Sequence, residues 1–550
     1  MIEDLWYKNA VIYSLDLETF MDLNGDGVGD FEGLTRRLDY LNAMGIDTVW
    51  LAPFQPSPNK DNGYDISDYF GVDIRHGSSG NFVEFIHQTN KRGIKVIIDL
   101  VVNHTSDQHP WFIDACSSKD AKHRDWYIWS DKKPSDWNEG MVFPGVQKTT
   151  WTYEKKTRSY YHHRFYHHQP DLNMDNPEVR AEVCRIMGYW LQLGVAGFRM
   201  DAVPFILESK KPGEKKGETK FEYLRAFRKF VQWRKGDAVL LGEANVSPED
   251  SELYFGKEGE GIHLMFNFYV NQYLFYALAS TEVGPLIKAL EETRIKFPTS
   301  QWAHFLRNHD ELDLGRLTEE ERKKVFERFA PEENMRLYER GIRRRLAPML
   351  GQRQQIELAY SLMFSLPGTP VIRYGDEINM GDNLGLEERS AVRTPMHWTD
   401  GPQAGFSEAE KLVHPIIDNG PYSYKHVNVD NNKRTPQSML NWMTSLISLR
   451  QECPEIGWGN WQIIKTDKPT VLVMHYNLEG SSLLILHNFD EKSHEITLNL
   501  KQNIESESEL VDLKELYKSV ADKNGIHHIT LDAYGYRWLR AGDLSHLFVK

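Results

Sequence analysis

Eight short runs rich in β-branched and aromatic residues recur along most of the chain, each followed by a stretch with helical apolar spacing. They read NAVIYSLDL, DTVWLAPF, KVIIDLVVNH, VAGFRMDA, AVLLGEA, HLMFNF, WAHFLRNHD and TPVIRYGDE. Strand alternating with helix builds a parallel sheet, whose strands are covered on both faces and so stay apolar along their length. Eight such units in series favour a closed (β/α)8 TIM barrel, an α/β fold, over an open doubly wound sheet. Most runs end on polar or ionisable residues: Asn103 and His104, Asp201, Glu243, His309 and Asp310, Asp376 and Glu377. A barrel brings all these ends to one face, where barrel enzymes do their chemistry.

Helices are expected from Asp30 to Met44, after Asn81, from Pro177 to Leu193 and from Phe221 to Trp233. Asn176 before Pro177 and Glu178 is a capping sequence. The stretch Thr105 to Pro170, rich in Trp, Tyr and His, is too long for a plain crossover and reads as an inserted lid subdomain after strand 3. Trp111, Trp126, Trp151 and the run YYHHRFYHH are its candidate lid residues. Leu312 to Gly351, with EERKKVFERF and ERGIRRRLAP, reads as helix with solvated charged faces. From about Glu455 the pattern changes to alternating strands, predicting a C-terminal antiparallel β-sandwich. The expected domains are a catalytic barrel at 1–104 and 171–454, the insertion at 105–170 and the β domain at 455–550. The Lys- and Gly-rich loop LESKKPGEKKGETK is expected to be mobile.

Lys plus Arg number 65 against 79 Asp plus Glu, a formal charge of −14, which disfavours nucleic-acid binding. Cys116, Cys184 and Cys453 lie far apart without metal-ligand spacing, so reduced thiols and a cytoplasmic location are expected. The acidic start MIEDLW lacks the basic region of an export signal, and no apolar run suits a membrane helix. Aromatic residues make up 12% of the chain, material for a core and for stacking on sugar rings. The oligomeric state is left open, a homo-oligomer included.

Three strand-end acids form the central constellation: Asp201, Glu243 and Asp310. A retaining glycosidase needs two carboxyl groups about 5–5.5 Å apart, one ionised as nucleophile and one protonated as acid. Arg199, two residues before Asp201, points to the same side of the strand and would keep that carboxylate ionised. His104 and His309 could donate to sugar hydroxyls. Taken singly, each of these residues also has a bland reading as a cap, an ion pair or a satisfied core histidine.

Together, DLVVNH, GFRMDA, GEAN and FLRNHD resemble the four signature regions of the α-amylase superfamily (glycoside hydrolase family 13), in order and over nearly the whole chain. The resemblance implies Asp201 as nucleophile, Glu243 as general acid and then base, and Asp310 as transition-state stabiliser, with Arg199, His104 and His309 completing a glucose site. KDNGYD resembles the segment of exo-acting members that supplies an acid and a stacking tyrosine, here Asp61 and Tyr64. VRTPMHW resembles the segment whose arginine, here Arg393, pairs with that acid and closes the pocket.

Within the superfamily, NHTSDQHPWF, HQPDLNMDNP and GIRRRLAPML resemble the trehalose synthase family. That likeness implies interconversion of small α-glucosides such as maltose and trehalose, with Asn245 and Glu311 as candidates for holding the released glucose. Val246 and Ser247 after GEAN, and Arg373 in PVIRYGDE, depart from the family pattern where the acceptor is expected. An exo-acting α-glucosidase or a glucosyltransferase with another acceptor is therefore the alternative, and a noncatalytic barrel subunit a remote one. The cofactor expected is calcium, at one or two structural sites, with no organic cofactor. DLNGDGVGD places Asp22, Asn24, Asp26 and Asp30 at alternating positions, suited to a hard cation or to a plain Asx-rich turn. Resemblance adds the backbone oxygen of Val28 there, and implies a second site at Asn103, Asp171 and Glu208 with backbone oxygens of Phe205 and Ile206.

Overall fold

A computed structural model describes residues 3–213, 217–500 and 509–541. Its centre is a closed barrel of eight parallel strands: β1 (Ile12–Leu15), β2 (Thr48–Leu51), β3 (Lys95–Leu100), β4 (Gly197–Met200), β5 (Val239–Gly242), β6 (Leu264–Phe266), β7 (Gln301–Phe305) and β8 (Thr369–Arg373). Seven fall within the runs read from the sequence, and β7 begins one residue before its run, at Gln301.

The two-residue period of a strand explains how the barrel makes its site. Ile12, Trp50, Ile97, Val239, Leu241, Leu264, Phe266, Ala303, Phe305 and Val371 pack together inside. Moving two residues onward from such inward positions leads to Asp99 on β3, to Glu243 just past β5 and to Arg373 on β8. Apolar residues thus fill the barrel and ionisable ones crown its C-terminal end. The register pairs Asp99 with Arg199 across β3 and β4, so the two side chains stand side by side.

Helices cover the outside. Asn176 accepts the amide of Glu178 at 2.9 Å and caps the helix Pro177–Gln192, whose Val183, Ile186, Met187 and Trp190 are buried. The expected helix from Asp30 is two short ones, Phe31–Arg36 and Leu38–Ala43, interrupted at Arg37.

The stretch from Leu312 to Gly351 differs from its reading as charged helix. Only Glu319–Phe329 is a long helix there, capped by a Thr318–Glu321 box, and Leu312–Asp313, Arg336–Leu337 and Gly341–Ile342 form a small antiparallel sheet. ERGIRRRLAP is not a solvated face. Arg345 is 1% exposed and bonds Tyr374 O at 2.9 Å and Asp376 at 3.3 Å, while Arg344 pairs with Asp382 at 3.2 Å. Buried carboxylates and carbonyls from the β8 side draw these guanidinium groups inward, which no helical period could reveal.

The insertion after β3 carries a three-stranded antiparallel sheet of Trp129–Ser130, Trp151–Glu154 and Ser159–His162. At the C-terminal end a six-stranded sheet faces the pair His494–Asn499 and Ile526–Leu531. Val473, Leu484, Leu486, Ile496, Leu498, Ile529 and Leu539 fill the space between them. Trp538 donates to Ser361 at 2.9 Å, docking this unit on the barrel, and Arg540 pairs at 3.0 Å with buried Glu455 at the unit's start. Residues 214–216 of the loop expected to be mobile lie outside the described residues.

Candidate active site

Arg199 organises the crown of the barrel. Its buried guanidinium meets Asp99 at 2.7 Å, Asp201 at 2.6 Å and Glu243 at 2.7 Å. Glu243 also accepts the amide of Ala202 at 3.1 Å. Ala202 has φ 53° and ψ 43°, a left-handed conformation costly for a residue with a Cβ. That turn, directly after Asp201, aims the amide at Glu243 and binds the two acids into one unit.

Burial raises both carboxyls. Asp201 is pushed up to about 6 because desolvation, with the nearby charges of Asp99 and Asp310, outweighs the pull of Arg199. Glu243 is pushed up to about 7 by desolvation and by the charges of Asp201 and Asp310, again against Arg199. Arg199 therefore opposes protonation of the nucleophile candidate without restoring an ordinary carboxylate. Asp310 behaves differently: burial raises it, but His309, Arg389 and Arg393 together hold it well below the usual range. The three carboxyls thus divide into one that holds its proton near neutral pH, Glu243, one at the border of ionisation, Asp201, and one held as an anion, Asp310.

Around them, Tyr64 stacks on His309 with ring centres 5.5 Å apart, and its hydroxyl lies 2.9 Å from His309 Nε2. His309 Nε2 is also 3.0 Å from Asp310. His104 lines the cavity, yet both its ring nitrogens have protein partners: Nε2 donates to Tyr64 O at 2.9 Å, and Nδ1 lies 3.3 Å from Asn103 Nδ2. It has no free ring donor for a hydroxyl.

The acid–arginine pair expected at the rim is built differently. Asp61 pairs with Arg389 at 2.9 Å, not with Arg393. Arg393 instead donates to His309 O at 2.8 Å and to Asp310 at 2.9 Å. Arg389 reaches Asp310 with its other terminal nitrogen, also at 2.9 Å, and so joins the rim acid to the catalytic crown. The short 3-10 turn Glu388–Val392 puts Arg389 nearer the rim and Arg393 deeper.

The cavity has a volume of about 380 Å³, within the range of small-molecule sites. Phe143 and Phe165 of the insertion, Phe205 and Phe268 form its apolar walls. Trp111, Trp126 and Trp151, expected as lid residues, serve other ends: Trp111 stacks on Tyr69 and meets Trp126 edge-on, and Trp151 packs on His162 inside the subdomain. Arg373 is likewise not at the acceptor position; it pairs with Asp16 inside the barrel at 2.5 Å.

Asn245 and Glu311 both line the cavity. The amide of Asn245 is committed on both sides, donating to Asp313 at 3.0 Å and accepting from Arg316 at 2.7 Å. Glu311 is raised to about 7 by burial and by the Asp310 charge. Reasoning from the sequence missed Asp99, Arg389, Phe143 and Ala202, whereas Phe165 belongs to the run YYHHRFYHH offered as lid. Asp99 carried a signal, since an acid inside the apolar run KVIIDL requires a partner.

The 22–30 loop is built of Asx turns. Asp22 accepts the amides of Gly25 and Gly27 at 2.7 and 2.8 Å, and Asp30 accepts those of Leu23, Asn24 and Gly33, the last capping the helix Phe31–Arg36. Asp26 accepts the amide of Val28 at 2.8 Å, which turns that residue's N–H toward the loop. Among the described residues no cluster of three His, Cys, Asp or Glu side chains stands poised for a metal. At the other implied site Glu208 turns away to Arg164 at 2.8 Å, and Lys210 reaches Asp171. This second arrangement, as built, does not fit a calcium ion.

Residues 14–335 and 342–459 match the α-amylase catalytic domain, and residues 480–540 match the sucrose hydrolase-like C-terminal domain. The chain belongs to the α-amylase family. Among its relatives is a trehalose synthase of Pimelobacter sp. (strain R48), 38% identical over 98% of this chain and 96% of its own length. Another, from Thermus thermophilus, is 41% identical over 91% of this chain, which spans about half (52%) of that protein. An inactive double mutant of MutB in complex with isomaltulose superimposes with a TM-score of 0.78 at 26% identity, covering 98% of this chain and 99% of that one. The chain is accordingly a retaining α-amylase-family enzyme of the trehalose synthase type. No described helix is long and apolar enough to cross a membrane.

Proposed function

We propose that the enzyme interconverts maltose and trehalose by moving one glucosyl unit within this cavity. Glu243, protonated, donates to the glycosidic oxygen as Asp201 attacks the anomeric carbon, forming a glucosyl ester and free glucose. The free glucose turns in place. Its anomeric hydroxyl then attacks the ester, Glu243 takes the proton, and Asp201 leaves. Two inversions give net retention and an α,α-linked product.

The observation that carries this reading is how the cavity is covered. Phe143 of the insertion meets Tyr338 with ring centres 4.9 Å apart, Arg340 donates to Val142 O at 3.2 Å, and Tyr166 and Tyr338 both donate to Glu388, at 2.9 and 2.8 Å. Three separate segments interlock at the cavity wall, an arrangement suited to limiting water at the ester while glucose turns. The trehalose synthase relatives support the same substrates. The free thiols of Cys116, Cys184 and Cys453 support a cytoplasmic location.

The test is incubation with maltose, and separately with trehalose, following all sugars by chromatography. Interconversion with little glucose is expected. Glucose as the main product would make the enzyme an α-glucosidase instead.

A further inference from the structure

Lys210 lies past the short helix Val203–Leu207, with its side chain only 6% exposed. Its ammonium bonds Asp171 Oδ2 and lies 3.4 Å from Asn103 Oδ1. Asp171 is wholly buried and has its other acceptor positions filled by His162 Nδ1 at 2.9 Å, the Arg164 amide at 3.0 Å and Asn103 Nδ2 at 3.1 Å. Two donors therefore meet each carboxylate oxygen, which completes its lone pairs.

We propose that Lys210 is the built-in cation of this seat, holding the insertion to the barrel in place of a divalent ion. A buried carboxylate needs a counter-charge, and the ammonium supplies it. Calcium needs six to eight oxygen ligands at about 2.3–2.6 Å. Here Asp171 is surrounded by N–H donors, and Glu208, the remaining acid, is engaged by Arg164. An entering dication would face both the ammonium and the guanidinium, and would have to displace Lys210 from Asp171.

The position of the seat gives it consequence. Asp171 forms a backbone bridge with His104, and Leu172 donates to Asn103 O at 2.8 Å, so the insertion returns to the barrel here. Gln169, two residues earlier, donates to the rim acid Asp61 at 2.9 Å. The lock that closes the cavity wall is thus part of the chain itself and independent of dissolved calcium.

Calcium bound per chain, measured after equilibrium dialysis of the full chain, separates the alternatives. Wild type and Asp171→Asn should bind the same number of ions, whatever the 22–30 loop holds, because that loop is intact in both. Lys210→Met keeps the stem, removes the charge, and should bind one more calcium than wild type, with a calcium-dependent rise in Tm that wild type lacks. One more ion on wild type than on Asp171→Asn overturns the proposal, as does Lys210→Met gaining no calcium and losing no stability in chelator. Calcium-soaked crystals of the unaltered protein give an answer that needs no variant to fold. Lys210 Nζ between Asn103 and Asp171 is expected, and an anomalous calcium peak there overturns the proposal.

Discussion

Arg199 meets Asp201 at 2.6 Å, yet Asp201 remains raised to about 6, because burial and its acidic neighbours outweigh the guanidinium. Glu243 lies higher, at about 7. Activity needs Asp201 ionised and Glu243 protonated. As pH falls through about 6 the nucleophile is neutralised, and as pH rises through about 7 the acid is lost. A narrow bell in kcat/KM with its maximum between those values is expected, the two limbs belonging to the pair rather than to single residues. A flat profile from pH 5 to pH 8 would contradict the assignment.

Glu243→Gln should lose most activity on maltose, whose leaving group needs a proton, and keep far more on an aryl glucoside with an acidic phenol. The ratio of the two losses, measured as kcat/KM, should be at least about 10²-fold, the scale of general acid catalysis. Equal losses on both substrates would mean that Glu243 is not the acid.

Arg389 bridges Asp61 and Asp310, so Arg389→Lys cannot satisfy both carboxylates at once. A rise in KM for maltose of about 10-fold or more is expected for both Arg389→Lys and Arg389→Ala, given about 1.4 kcal/mol per tenfold. If Lys restored wild-type KM, the bridging geometry would not matter to binding.

Gly341 faces Glu311. A Cβ there would meet Glu311 Cγ at 2.6 Å, so Gly341→Ala must displace that carboxyl from the cavity wall. Because Asp201 and Glu243 are untouched, glucosyl-ester formation should persist while glucose release rises several-fold relative to disaccharide product. Chromatography of both products checks this, and an unchanged ratio would remove Glu311 from the acceptor site.

The barrel was legible because most strands are largely apolar and run into polar residues at their ends, a pattern written by burial itself. Arg199 and Asp201 were readable as neighbours from the two-residue period alone. The choice between Arg389 and Arg393 was not: both lie in the loop after β8, where no period relates position to direction, and only the fold decides which reaches Asp61. The same holds for Arg345 and Lys210, charges in polar stretches whose burial comes from distant partners, Asp376 and Asp171. Ala202 gave no warning, since a left-handed turn at alanine runs against its local preference and exists because the surrounding site imposes it.

Asp201→Ala should lose at least about 10⁴-fold in rate on any α-glucoside, a modest part of the acceleration enzymes achieve. The covalent intermediate itself gives the more direct test. A fluorinated α-glucosyl fluoride slows the second displacement and lets the glucosyl ester accumulate. Peptide mass spectrometry of the trapped protein should find one sugar per chain, attached to Asp201. Label on Glu243 or Asp310, or turnover with inverted product and no adduct, would contradict the double displacement.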